Sequence, residues 1–328
     1  MPIVDMPLKE LYRYEGRNEC PADIDAFWDR SVAEMEALGT GCTLEPAAFQ
    51  APGVECFEMY FTGVGGSKIH CRYVCPARRE GRLPAVCVYH GYSGSCGSFS
   101  GLLHWAAAGF AAAAMDCRGQ GGASEDLTPV RGNTLHGQII RGLDEDSPDR
   151  LYYRSVFLDA AQMARIVMTM DEVDETRVGA TGGSQGGALT LACAALTPRL
   201  NRAAPMMPFL CDYRRVWEMD LAVDAYSELK EYFRNFDPRH EREEAIFTRL
   251  GYIDNKNMAH RIRAEVRMFT GLMDTVCPPS TQFAAYNRIS ARKSVVIYPD
   301  FAHEYYPESD DLCMQFMLEM KWFFGVGE

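Results

Sequence analysis

Residues 179 to 190 read GATGGSQGGALT, five glycines around one Ser184-Gln185 pair. Glycine loses more conformational freedom on folding than any other residue, so five of them between two apolar runs need a structural reason. The run before them, RVGATG (177–182), reads as a strand, and the run after them reads as a helix beginning near Gly187. Gly182-Gly183-Ser184-Gln185-Gly186 therefore matches G-x-S-x-G, a tight strand-to-helix elbow that holds a serine hydroxyl at the carboxyl edge of a parallel sheet. The helix amino terminus that follows favours developing negative charge. Gly182 and Gly187 also have the spacing of a phosphate loop, but Ala188-Leu189 stand where that loop needs Lys and Ser or Thr. A third reading, a glycine-rich turn that only lets helix and strand pack closely, stays open until partners for the serine are found.

The rest of the chain supplies the sheet that such an elbow needs. Ile24, Phe27, Trp28, Val32, Met35 and Leu38 recur at helical spacing, so the first forty residues are expected to be helical. Residues 55 to 63 and 67 to 75 alternate around Gly65-Gly66, a hairpin pattern. AVCVYH (85–90), FAAAAMD (110–116), AAPMMP (203–208), VRMFTG (266–271) and SVVIYP (294–299) read as further strands. Ser147-Pro148 is a helix start, followed by a buried stripe from Val156 to Met168. Leu312 to Phe324 form a closing helix, and 212–262 is a charged, aromatic and helical insertion expected to cover one end of the sheet. Alternation of this kind predicts a mostly parallel sheet with helices on both faces. Without repeats or linkers, 1–328 is expected to be one domain, with a helical extension over 1–45.

Composition narrows the function. A net charge of −12 argues against nucleic acid or an anionic membrane surface as partner. No stretch is long and apolar enough to span a bilayer. The amino terminus lacks a basic segment followed by an apolar one, and the twelve cysteines are irregularly placed, so a cytoplasmic location is expected. Cys71 and Cys75 share one face of an alternating segment with Ile69 and Tyr73, a packed strand face rather than a metal site.

The serine finds partners in the order Ser, acid, His, each after a strand. Asp274 lies in the loop after VRMFTG, and His303 in the loop after SVVIYP. Asp300, nearer to His303 in sequence, competes for the acid role but is better placed to shape the histidine's own turn. His240 and His260 fall in the charged insertion and read as surface residues. Oxyanion donors are the N–H after the nucleophile, Gln185, and an N–H from the loop after an early strand. His90-Gly91-Tyr92 end such a strand, which nominates Tyr92 with Gly91 letting the backbone approach.

With these residues in place the chain resembles the acetyl xylan esterases and cephalosporin C deacetylases, carbohydrate esterases of the α/β-hydrolase fold. Arg118-Gly119-Gln120-Gly121, Gly182-Gly183-Ser184-Gln185-Gly186 and His303-Glu304 stand in the family's order, and FWDRSVAE, YYRSVFLDA, PFLCDYRR and GLMDTVCPPSTQFAAYN are similar to family sequence. The resemblance implies Ser184 as nucleophile, His303 as base, Asp274 as its orienting acid, and Tyr92 and Gln185 as oxyanion donors. Arg118 and Gln120 would organise the loop after FAAAAMD, and Glu304 would support the histidine loop. It implies hydrolysis of small acetyl esters of sugars through an acyl-enzyme, without metal or cofactor, in a doughnut-like hexamer. The loop from Gly122 to Asp149 is short and polar where many relatives carry a longer aromatic stretch, which puts the substrate rim and subunit packing in question. A broad carboxylesterase or a peptidase is the rival within the fold. A non-catalytic binding relative would usually have lost the serine or the histidine, and this chain keeps both.

Overall fold

The structure, a computed structural model, describes residues 4–131 and 137–322. The first three residues, five residues of the loop after the Arg118–Gly121 motif and the expected helix end at Phe324 lie outside it. Strands β1 (Cys42–Pro46), β2 (Val54–Thr62), β3 (Lys68–Pro76), β4 (Leu83–Tyr89), β5 (Ala111–Met115), β6 (Val173–Gly183), β7 (Arg202–Met206), β8 (Glu265–Gly271) and β9 (Lys293–Tyr298) form one sheet. Their order is β1-β2-β3-β5-β4-β6-β7-β8-β9. Pairings from β1 to β5 are antiparallel, and every pairing from β5 through β4 to β9 is parallel.

Parallel neighbours need a crossover, and helices supply it. The amino terminus contributes α1 (Leu8–Leu11) and α2 (Ile24–Ala37). After β4 comes α3 (Leu103–Ala107), after β5 comes α4 (Tyr152–Met168), and after β6 comes α5 (Gln185–Leu196). The insertion holds α6 (Tyr213–Glu218), α7 (Ser227–Phe236), α8 (Glu243–Leu250) and α9 (Asn255–Met258), with no strand, as its composition predicts. The chain closes with α10 (Pro279–Arg288) between β8 and β9, then α11 (Ser309–Trp322). One face of the sheet packs against α2, α4 and α5, the other against α3 and α11.

Local expectations hold where a residue type leaves the backbone little choice. Gly65 and Gly66 turn the β2–β3 hairpin at φ of 73° and 82°, where a side chain would be strained. The Ser147 hydroxyl accepts the Asp149 amide at 3.2 Å and caps a short turn, one residue before α4 begins at Tyr152. Cys71, Cys75, Ile69 and Tyr73 are buried together on β3.

Two expectations need correction. The amino-terminal extension is helical only to Ala37, and residues 42–46 form the edge strand β1. All five β1 residues are exposed, so no alternation marks them, and only the ladder to β2 makes them a strand. On α4 the buried surface is no stripe: every residue except Arg165 is buried, because the helix lies between the sheet and α2. Trp28 of α2 stacks on Phe157 of α4 with ring centres 6.0 Å apart.

From β4 the chain runs to β5 on one side and later to β6 on the other. Strand order reverses there, and the carboxyl ends of open parallel sheets form a crevice at such a point. The loops after β4 and β6 carry Tyr92 and Ser184, which places both at this crevice.

Candidate active site

Ser184 sits between β6 and α5 at φ 57° and ψ −117°, a strained conformation for a residue with a side chain. Hydrogen bonds hold it there. Its N–H donates to the Met206 carbonyl of β7 at 3.0 Å, and its carbonyl accepts the amides of Ala188 and Phe209 at 3.0 Å each. The glycines on either side answer to close approach. A Cβ on Gly186 would lie 2.1 Å from the Tyr89 carbonyl oxygen at the end of β4, and one on Gly182 would lie 2.5 Å from the same oxygen and 2.7 Å from the Gly186 backbone. Gly183 is different, since a Cβ there would meet nothing within 4 Å. The elbow therefore requires the glycines two residues from the serine and leaves its immediate neighbour free.

The Ser184 hydroxyl lies 3.0 Å from His303 Nε2, and His303 Nδ1 lies 2.9 Å from Asp274 Oδ2. The second carboxylate oxygen, Oδ1, accepts the amides of Val276 and Cys277 at 2.9 and 2.7 Å. Asp274 is fully buried. An acceptor-only carboxylate so tied offers Oδ2 to an imidazole N–H, which leaves Nε2 free to accept the serine proton. Asp300 is exposed and makes no hydrogen bond to His303 among the described residues. Glu304 accepts the Ala302 amide at 3.0 Å and so braces the histidine's own loop. His240 and His260 are exposed, as expected.

Gln185 opens α5, and the first N–H groups of a helix have no intrahelical partner. Among the described residues neither the Gln185 nor the Tyr92 amide donates to a protein acceptor. The Gln185 side chain is buried, and its Nε2 donates to Gln120 Oε1 at 3.0 Å while Gln120 Nε2 donates to Gln185 Oε1 at 2.9 Å. Gln120 Oε1 also accepts the Ser93 amide at 3.0 Å, next to Tyr92. A single side chain thus braces both segments that hold the free amides. The Tyr92 ring packs edge-on against Phe209, centres 5.7 Å apart, and its hydroxyl accepts the Gln138 amide at 3.0 Å.

Arg118 is fully buried and grips Asp159 of α4 with Nε and Nη2, both at 2.7 Å. Its Nη1 donates to the Val64 carbonyl, Ser67 and Thr128. It ties the loop after β5 to the hairpin turn and to α4, well inside the molecule. Gly119 has a φ of 63°, and a Cβ on Gly121 would lie 2.6 Å from the Ser93 carbonyl, so this motif packs directly on the Tyr92 loop.

Sequence reasoning missed Cys277, whose sulfur lies within 4.8 Å of ligand atoms of both Asp274 and His303. Burial, aided by Asp274, pushes its thiol pKa well up. A protonated thiol beside a carboxylate and an imidazole already bonded to each other is a poor metal set. No local signal could have found it, since one buried thiol reads like any other.

An elbow serine followed in chain order by an acid after one strand and a histidine after the next is the arrangement of the α/β hydrolases, and the sheet and helices have that class's fold. Within it, the chain belongs to the acetyl xylan esterase family (AXE1), whose profile matches residues 1–320. It is similar to acetyl xylan esterase 1 of Thermoanaerobacterium sp. JW/SL YS485, with 54% identity and a TM-score of 0.94 over 96% of this chain and 99% of that one. The acetyl xylan esterase of Paenibacillus sp. R4 is 38% identical with a TM-score of 0.91, again over 96% and 99% of the two chains. Acetyl esterase Axe7A of Xylanibacter ruminicola is 26% identical over 298 residues. That match takes in 86% of this chain, which spans 63% of that relative's length.

Proposed function

We propose that this protein is a serine esterase that removes acetyl groups from acetylated xylo-oligosaccharides and related small acetyl esters, cephalosporin C among them. One observation carries the reading: a Ser184 hydroxyl 3.0 Å from His303, itself 2.9 Å from a buried Asp274, in a chain of the acetyl xylan esterase family. Ser184 attacks the acetyl carbonyl as His303 Nε2 takes its proton, and Asp274 holds the imidazole in the tautomer that accepts it. The Tyr92 and Gln185 amides receive the oxyanion. His303 then protonates the sugar alkoxide as it leaves, and water releases acetate from Ser184 by the same route.

Family resemblance further supports a hexamer, the unbroken alternation of strands and helices supports a single-domain subunit, and the irregularly placed cysteines support a cytoplasmic location. Among the described residues no helix is long and apolar enough to cross a membrane. The Tyr92 ring packs against Phe209 and is tied at its hydroxyl, and in this reading it stands beside the oxyanion site as the wall of a short acyl pocket. Acetyl esters are therefore expected to be cleaved far faster than longer ones, because overlap costs more than the ~1–3 kcal/mol available from filling one methylene's space. Turnover of p-nitrophenyl acetate, butyrate and octanoate, with and without a serine-directed phosphonate, tests the reading. Octanoate cleaved as well as acetate, or efficient cleavage of a peptide anilide, would move the assignment to a broad carboxylesterase or a peptidase. Light scattering at micromolar concentration tests the assembly, since a clean monomer excludes the hexamer.

A further inference from the structure

β3 brings His70 to the point where the Tyr92 loop and the Arg118–Gly121 loop meet. Its Nδ1 lies 2.6 Å from Asp116 Oδ2 and its Nε2 2.7 Å from Glu58 Oε2. A neutral imidazole has one N–H and cannot donate to two carboxylates at once, and an ionised carboxylate has no proton to give back. The ring that satisfies both contacts is an imidazolium. Burial pulls the His70 pKa down, but the bonds to Asp116 and Glu58 outweigh it and the net direction is upward. The other groups around the ring are two cations, each with a partner of its own, and two neutral side chains. Arg72 of β3 places Nε 3.8 Å from the same Glu58 oxygen, and Tyr60 of β2 lies 5.2 Å from the ring with the Lys68 ammonium 4.1 Å from the tyrosine's own centre. The Cys96 thiol is pushed up to about 12 by burial and by Asp116.

Asp116, at the end of β5, is where the loops are fastened. Its Oδ1 accepts the Cys96 amide at 2.5 Å, in the loop that carries Tyr92. Its Oδ2 accepts the Ala123 amide at 2.8 Å, in the loop that carries Gln120. A Cβ on Gly122 would lie 2.0 Å from the Asp116 carboxyl carbon, so the second loop rests on the carboxylate itself. Burial pushes this carboxyl up, but the bonds from His70, Ala123 and Cys96 outweigh it and hold it well below the usual range.

We propose that His70 is a positioning residue for ester hydrolysis: as an imidazolium it holds the Asp116 carboxylate beneath the Tyr92 and Gln120 loops and so keeps the two oxyanion amides in register. The proposal rests on the reading of Ser184, Tyr92 and Gln185 given above. As pH rises through the titration of His70, the ring loses one proton and one carboxylate bond, the Tyr92 loop loosens, and kcat falls. The device therefore sets an alkaline limb.

The test measures blank-corrected kcat and KM for a small acetyl ester from neutral to alkaline pH in wild type, His70→Asn and Glu58→Gln. His70→Asn should lose about ten- to a hundredfold in kcat with KM little changed, since a small misplacement from outside the reacting groups can cost that much. It should also lose the alkaline limb. Glu58→Gln keeps a bond to the ring but removes a negative charge, so the limb should move to lower pH by about one unit. A purely structural role would lower stability in both variants and leave the limb where it is. Superimposable pH profiles in wild type and Glu58→Gln overturn the proposal, and that variant decides alone should His70→Asn fail to fold. Stoichiometric phosphonate labelling of wild-type Ser184 separates the two failures: labelling with unmoved profiles sinks this proposal only, whereas no labelling and no turnover sink the esterase reading and this one with it.

Discussion

The molecule contains two aspartate–histidine pairs whose rings differ in what faces the far nitrogen. Asp274–His303 meets a serine hydroxyl at 3.0 Å, while Asp116–His70 meets a second carboxylate at 2.7 Å. The first ring has a hydroxyl proton to accept, and the second faces a carboxylate that has none to give. Exposure follows the same division: the His303 side chain is 21% exposed, as a ring that must reach substrate has to be, and that of His70 is 7% exposed. The pairing with an aspartate is common to both. The third partner decides whether such a pair serves as a base or as a fixed cation.

The largest effect should come from removing the hydroxyl that makes the first pair a base. Ser184→Ala should keep the fold and retain less than about a hundredth of wild-type turnover, because losing one member of such a unit costs several orders of magnitude. More activity than that would mean the two pairs do not differ as described. Asp274→Asn comes next, with a loss of up to ~10⁴ in kcat expected from a misoriented tautomer, the size of effect seen when the triad aspartate of a serine protease is changed in the same way. Asp300→Asn is the control, and the opposite result for these two variants would place the acid in the histidine's own loop.

The second pair is expected to register in stability as well as in the kcat loss given above for His70→Asn. Asp116→Asn removes the charge that the ring and two amides bind, and should cost about 1.5–3 kcal/mol, the range for a hydrogen bond to a charged group. Urea melts at neutral pH would show it, and an unchanged midpoint would argue that the carboxylate is idle. A smaller effect concerns pH. Because the folded His70 pKa is raised, its stabilisation is fully present below the ordinary histidine pKa of about 6.5 and is lost as pH rises through the folded value. The gap in midpoint between wild type and His70→Asn should therefore be widest in mild acid and narrow in alkali. A gap that widens with pH would assign the ring the wrong charge. Asp300→Asn, exposed and outside both pairs, should move neither kcat nor the melt.

Ser184, Asp274 and His303 could all be read from the chain because each lies just after a short strand-like run, in the chain order that the elbow requires. An elbow also needs glycine at fixed offsets from its serine, as Gly182 and Gly186 show. β1 could not be read, since its five residues are exposed and carry no alternation. The steric demand falls on the positions two residues from the serine, and Gly183 beside it carries none. Cys277, a buried thiol beside the triad residues, has no pattern around it at all.

Sequence alone determined the strand–elbow–helix, the parallel sheet and the order of serine, acid and histidine, because backbone freedom and hydrophobic periodicity are local properties. Tertiary structure decided which side chains meet. His70 and Asp116 are 46 residues apart, Arg118 and Asp159 are 41, and Gln120 and Gln185 are 65. Each meeting depends on β4 lying between β5 and β6 and on the register of β3 against β5. That order is set by burying the apolar faces of the central strands together, which no local stretch of sequence specifies, while the local motifs would survive a change of register.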